Sequence, residues 1–280
     1  MAIDLNATSR TSRVSEIALL AAFVAAYYPV FKGLVSAWQN SEDYSHGFVI
    51  LPICGYLLWQ KRDVLKQVKV FPSQVGLVVT VLSLAVYLFA RYAEIATLAS
   101  LSLIPVISGT IIYLFGFRMF KECLFPVFLL LFMIPVPSQI YASLTIPLQL
   151  FVTKISAFLA SMVGVVLVYE GNIIHLPQRT LQVVQACSGL RSIMTLLTLG
   201  AVLGYLTLNS NTLRTFLFFS GVPIAIAINI LRVFLMIIAI YFFSFDLSVG
   251  IAHTVFGMLI FAAALGIFFL VGRGVALWDR

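Results

Sequence analysis

Eight apolar runs, separated by gaps that hold most of the charge, constrain this chain more than any other feature. They lie at 17–38, 48–59, 75–90, 95–117, 124–134, 190–208, 216–243 and 255–271. About 20 apolar residues at about 1.5 Å each cross a bilayer core, and fewer suffice where neighbouring helices shelter the run. A soluble chain could not hide so much apolar surface: 62% of the 280 residues are hydrophobic and only 10% are charged. The pattern predicts an all-α fold, a polytopic integral membrane bundle of about eight transmembrane helices, with residues 1–280 forming one membrane-embedded domain. The first run follows Arg10 and Arg13 with no small-residue cleavage site after it, so it reads as an uncleaved first span.

A net charge of +7 would suit nucleic acid only if the basic residues gathered on a water-accessible face. Here they sit in short gaps between spans, the distribution that the positive-inside bias produces. With the N-terminus inside, Arg10, Arg13, Lys61, Arg62, Lys66, Lys69, Arg118, Lys121, Arg214, Arg273 and Arg280 all fall inside, 11 of the 17 basic residues. Glu42, Asp43, Glu94, Glu170 and Asp246 fall outside, with Arg91 and Arg179 as exceptions. Both termini are then cytoplasmic.

That count treats 135–168 as non-crossing. The segment opens with Pro135-Val136-Pro137, contains Pro147, and scatters Gln139, Ser143, Gln149, Lys154, Ser156 and Ser161 among apolar residues. It is expected as an amphipathic stretch lying in the outer interface or re-entering. The β-branched stretches 171–175 and 180–184, joined across Leu176-Pro177-Gln178-Arg179, predict a small hairpin on the outer face.

This topology carries three polar groups to one level. Cys187 opens the sixth span, His253 opens the eighth, and Arg232 lies 17 residues above Thr215 in the seventh, about 25 Å up. A thiol at a helix start is biased toward thiolate, the form that attacks carbonyls. Histidine moves protons near neutral pH, and a permanently charged guanidinium can hold an oxyanion. Together they point to acyl transfer through a thioester, with Cys187 as nucleophile, His253 as general acid and base, and Arg232 as oxyanion stabiliser. Each has a bland alternative: Cys187 as a small apolar residue, His253 as an interfacial histidine. Arg232 resists it, because a cation within an apolar span is costly.

Several neighbours compete or assist. Arg191 shares a helix face with Cys187 and could take the oxyanion role; Ser188 is an alternative nucleophile without a local base. Asn229 shares the face of Arg232 and would orient it. Tyr44 and His46, in Asp43-Tyr44-Ser45-His46-Gly47, either form a solvated turn or line the rim of the site. Cys54 and Cys123 read as structural and His175 as a surface residue. No group of His, Cys and carboxylates has metal-ligand spacing, and the chemistry calls for no cofactor.

At these residues the sequence resembles the exosortase and archaeosortase family. The resemblance rests on the ordered set Ala186-Cys187-Ser188-Gly189-Leu190-Arg191-Ser192, Asn229-Ile230-Leu231-Arg232 and Ala252-His253. Tyr44-Ser45-His46-Gly47, Phe132-Met133-Ile134-Pro135-Val136-Pro137 and Glu170-Gly171-Asn172 support it. It implies a multi-pass protein of a Gram-negative inner membrane, linked to exopolysaccharide, that cleaves the C-terminal sorting signal of exported proteins. In exosortases that signal is a Pro-Glu-Pro-type motif, an apolar helix and a basic tail. The resemblance implies the same trio, Cys187, Arg232 and His253, with exported proteins and membrane lipids as partners, no nucleic acid, and an acceptor left open. Two rival readings share these residues: a transporter or flippase for a lipid-linked saccharide, and a membrane acyltransferase.

Overall fold

The structure, a computed structural model, describes residues 5–41, 43–183 and 189–279. The chain divides into two compact units, Met1–Pro135 and Val136–Arg280. Among the described residues seven helices are long and apolar enough to cross a membrane, and Gly47–Gln60 is a shorter apolar helix. The expected helical membrane bundle is therefore what the chain forms.

The first unit contains α1 (Leu5–Asn40), α2 (Gly47–Gln60), α3 (Arg62–Gln67), α4 (Gln74–Tyr92), α5 (Ala96–Leu101), α6 (Leu103–Phe115) and α7 (Phe117–Leu129), followed by a 3-10 turn at Leu130–Met133. Where α4 meets α6 the contact is backbone on backbone: a Cβ added to Gly76 would stand 2.2 Å from the Tyr113 nitrogen. Close approach through small residues is how apolar helices gain packing in lipid, where burial alone drives nothing. Tyr27, fully buried, stacks on Tyr87 with ring centroids 4.4 Å apart. The two hydroxyls are paired, Tyr27 with Ser102 Oγ at 3.0 Å and Tyr87 donating to the Ala26 carbonyl at 2.5 Å. A buried hydroxyl left unpaired in such surroundings would be costly.

The run at 124–134 is only the latter part of a longer element, because Arg118, Lys121 and Glu122 lie within α7 and broke the apolar pattern. Pro126 lacks an N–H and so leaves the Glu122 carbonyl without its helical donor. Lys61 supplies one, with Nζ 3.3 Å from that carbonyl and 2.9 Å from the Glu122 carboxylate. At the other end of α2 the carbonyls of the 3-10 turn are taken by side chains: Trp38 Nε1 donates to Met133 at 2.8 Å and His46 Nε2 to Phe132 at 3.0 Å. Gly47 makes room for the indole, since a Cβ there would fall 2.3 Å from Trp38 Nε1.

The second unit contains α8 (Ser138–Met162), β1 (Val168–Glu170), β2 (Ile173–His175), β3 (Thr180–Gln182), α9 (Leu190–Thr207), α10 (Asn211–Phe243) and α11 (Gly250–Trp278). Here the expectation for 135–168 is corrected. Most of it is one continuous helix of 25 residues, among those long and apolar enough to cross. Of its polar residues, Gln139, Ser143, Lys154 and Ser161 are exposed, but others are not. Thr145, Gln149, Thr153 and Ser156 recur at helical spacing on a buried stripe. Thr145 and Thr153 return their hydroxyls to the carbonyls four residues back, at 3.0 and 2.7 Å, and Ser156 Oγ donates to the Ile230 carbonyl of α10 at 3.0 Å. Ile140, Leu144, Phe151 and Phe158 are among the exposed apolar residues of the helix.

The predicted hairpin is present as β2 and β3, paired Ile174 to Leu181, and β1 adds a third antiparallel strand that the sequence reading missed. Ile174, Leu181 and Val183 turn inward onto Val233, Met236, Ile237 and Ile240 of α10 and onto Val152 and Ala160 of α8. The sheet thus covers the C-terminal end of α10. Helices α9 and α10 run antiparallel at glycine distance: a Cβ on Gly200 would lie 3.1 Å from the Phe218 Cα, and one on Gly221 3.0 Å from the Leu196 Cβ. At the opposite end from the sheet, the Asp279 carboxylate accepts the backbone N–H groups of Asn209 and Ser210.

Two measurements follow. In the first unit the basic residues Lys61, Arg62, Lys66, Lys69, Arg118 and Lys121 crowd one end; in the second, Arg214 and Arg273 lie at the end away from the sheet. The charge bias in each unit predicts that reporter fusions at Lys66 and Thr180 report opposite sides. Three of the long apolar helices, α4, the α5–α6 stretch and α8, lie between the two positions, so the same side for both would mean that one of them does not cross or that α7 does. Burial lowers the pKa of His46 below its ordinary 6.5, against the opposing pull of its hydrogen bonds to the Phe132 and Asp43 backbone. A histidine depressed in the folded state contributes stability that is present above the ordinary value and lost as pH falls toward the folded one. The thermal midpoint of the wild type should therefore drop relative to that of His46→Gln between pH 7.5 and 5. Parallel curves would count against the assignment.

Candidate active site

The site is built at the sheet end of the second unit. Helix α10 carries Asn229 and Arg232 one turn apart, and the antiparallel contact with α9 sets their height. Gly189, the residue before α9, packs directly on Asn229: a Cβ there would meet the Asn229 side chain at 3.2–3.3 Å. Gly189 also has φ +83°, in the left-handed region where glycine carries no steric penalty. Asn229 is buried, at 5% exposure, and Arg191, the second residue of α9, is half-buried. Cys187 and Ser188 lie outside the described residues.

Arg232 meets His253 across the α10–α11 interface. Its Nη2 is 3.0 Å from His253 Nε2, and the other ring nitrogen, Nδ1, is 3.1 Å from the Leu247 carbonyl. Both partners have fixed roles. A guanidinium only donates and a carbonyl only accepts, so Nε2 offers its lone pair and Nδ1 carries the proton. This is the neutral imidazole in its Nδ1–H tautomer. Protonating Nε2 would set two donors against each other and release the guanidinium.

Gly257 completes the arrangement. It lies four residues after His253, on the same face of α11, and a Cβ there would stand 3.2 Å from Arg232 Nη2. The missing side chain leaves the space in which the guanidinium lies. Ser156, by binding the Ile230 carbonyl, pins α8 to α10 within two residues of Arg232. Sequence reasoning assigned neither residue. The i, i+4 spacing of His253 and Gly257 was a usable signal; the Leu247 carbonyl, a main-chain group, left none.

Tyr44 and His46 belong to the first unit, where the His46 ring is engaged by Phe132. His175 is exposed and pairs with Thr180 Oγ1 within the sheet at 3.3 Å. Cys54 and Cys123 are buried, Cys54 Sγ lying 3.3 Å from the Pro126 carbonyl. Among the described residues no three His, Cys, Asp or Glu side chains gather as a metal cage.

Residues 38–270 match the family described as transmembrane exosortase. The chain belongs to that family. No curated protein and no solved structure matches it. In this exosortase the matched stretch takes in His46, Cys187, Asn229, Arg232 and His253, and the Arg232–His253 pair is the part of it whose geometry bears on chemistry.

A methyl group at Gly257 separates site geometry from stability. Gly257→Ala should raise helix propensity by about 1 kcal/mol while pressing on the guanidinium, so the melting temperature holds or rises as activity falls. Gly257→Leu should abolish activity. Gly266→Ala, on the same helix with open space around it, is the control and should gain the same stability with activity unchanged. Full activity in Gly257→Leu would remove the Arg232–His253 contact from the site.

Proposed function

We propose that this exosortase is a membrane-embedded cysteine transpeptidase that cleaves the C-terminal sorting signal of exported proteins through a thioester at Cys187. The observation that carries the reading is the Arg232–His253 hydrogen bond, at the end of the unit where Gly189, two residues beyond Cys187, packs on Asn229. The site faces the outer side of the inner membrane, where an exported substrate arrives.

The donor pattern suggests an order of events. The resting His253 is neutral at Nε2, so it can take the Cys187 proton as sulfur attacks the scissile carbonyl. Nε2–H then opposes Arg232, and the guanidinium is released to the oxyanion that forms in the same step. His253 returns the proton to the leaving amine, the C–N bond breaks, and the acyl group remains on sulfur as a thioester. Water or an amine then attacks that carbonyl, the thiolate leaves, and Cys187 is restored. The proton that His253 takes from the incoming nucleophile returns to sulfur.

Co-expression with a tail-anchored substrate tests the proposal. Cys187→Ala should abolish release of the C-terminal fragment in a protein that still folds and inserts, whereas Cys54→Ala and Cys123→Ala should process it. Arg232→Lys keeps the charge but not the planar set of donors, and should lose about 10²–10³ in rate. A covalent adduct on Cys187, seen by mass spectrometry when the resolving step is blocked, is the expected positive result. Processing at the normal rate by Cys187→Ala would overturn the thiol mechanism and favour a transporter.

A further inference from the structure

The tautomer of His253 depends on an acceptor that belongs to a loop. Leu247 lies in the connection between α10 and α11, and a loop carbonyl fixes a catalytic ring only if the loop itself is held. Three contacts hold it. Asp246 Oδ1 accepts the Ser248 N–H at 2.7 Å and the Ser248 hydroxyl at 2.5 Å, closing a turn with Leu247 at its centre. The other carboxylate oxygen, Oδ2, binds Arg179 Nη1 at the tip of the β2–β3 hairpin. The Leu247 side chain packs against the buried cluster under the sheet. A neighbouring contact, Gln178 Nε2 to the Tyr241 carbonyl at 3.4 Å, keeps the same hairpin tip on the end of α10.

The carboxylate is the centre of this arrangement. Its side chain is only 15% exposed, against 53% for Arg179. Burial pushes the Asp246 carboxyl up, but the two Ser248 hydrogen bonds and the Arg179 charge outweigh it and hold it below the usual carboxylate range. It is therefore an acceptor at any working pH. The strand that follows Arg179 leads to Cys187 eight residues later, so the same ion pair joins the chain approaching the nucleophile to the loop that orients the histidine.

We propose that Asp246, with Arg179, is a positioning residue: it fixes the Leu247 carbonyl so that His253 keeps its proton on Nδ1 and turns Nε2 to Arg232. The importance of this for catalysis rests on the cysteine transpeptidase reading above; the positioning itself does not. Which ring nitrogen of a histidine carries the proton is set by the hydrogen bond the other makes. Loss of a partner that orients a functional histidine typically costs about 10- to 100-fold.

Full-length protein labelled with 15N-histidine, in nanodiscs, tests it. The chain has three histidines, and His253→Gln assigns the resonances. In the wild type His253 should show one neutral species protonated at Nδ1. In Asp246→Ala and Arg179→Gln it should become a mixture with the Nε2–H form, while kcat for the tail-anchored substrate falls about 10- to 100-fold at unchanged KM. Asp63→Ala, which removes another exposed ion pair, should leave both readouts alone. Arg179→Gln alters a half-exposed side chain and keeps the test available should Asp246→Ala fail to fold. An unchanged His253 spectrum in Arg179→Gln and in folded Asp246→Ala would overturn the proposal even if activity fell. A shifted spectrum would uphold it even if Cys187→Ala proved active, in which case the transpeptidase reading alone would fail.

Discussion

A guanidinium three turns from the end of an apolar helix is the constraint on which this half of the molecule depends. Arg232 carries a permanent charge into surroundings that solvate it poorly, so the neighbouring elements must provide a place for it. They do so in three ways: a ring nitrogen whose lone pair faces it, a glycine whose missing side chain makes space, and a serine that fastens a third helix to the backbone beside it. Each lies on a different helix or on a different turn of the same one. The glycine contacts between α9 and α10, the seating of the sheet, and the closed turn at Asp246 all bring these groups to one height.

Much of the architecture could be read from residues alone, and the reasons differ by element. Long apolar helices declare themselves, because a bilayer leaves few other ways to satisfy a backbone. The hairpin declared itself through β-branched residues on either side of Leu176-Pro177-Gln178-Arg179. Helix α8 did not, because polar residues within an apolar stretch have two physical meanings: a face turned to headgroups, or a stripe turned to a neighbouring helix. Thr145, Gln149, Thr153 and Ser156 proved to be the second, and only the position of α10 distinguishes them. The start of α7 was hidden for the converse reason, since Lys121 and Glu122 look like loop residues until Lys61 is seen beside Glu122.

The Arg232–His253 pair was legible in its side chains and illegible in its main-chain partner. Arg232 and His253 were each conspicuous as polar groups in apolar runs, and their helical depths brought them together. Nothing in the composition could indicate that a Leu247 carbonyl binds the histidine, because leucine in a loop has no chemical signature. Asp246 was visible only as one of a few acidic residues that the charge count assigned to the outer side. Its role is local, through a turn of three residues, and depends on Arg179 arriving from a distant strand. Sites held by main-chain groups will be under-read from sequence for this reason, and the residues that brace those groups with them.

The close contact between α9 and α10 gives the site a mechanical character. Gly200 meets the α10 backbone near Leu217 and Phe218 with no side chain between, so the two helices share a fulcrum there. Gly189 stands 11 residues from that point, a lever arm of about 16 Å at about 1.5 Å per residue. A relative tilt of about 3° at the fulcrum moves the end of the arm by roughly 1 Å, which is the difference between Gly189 touching Asn229 and leaving a gap beside it. A tilt at one depth of the membrane would thereby be amplified at another, where the chain that carries Cys187 joins α9.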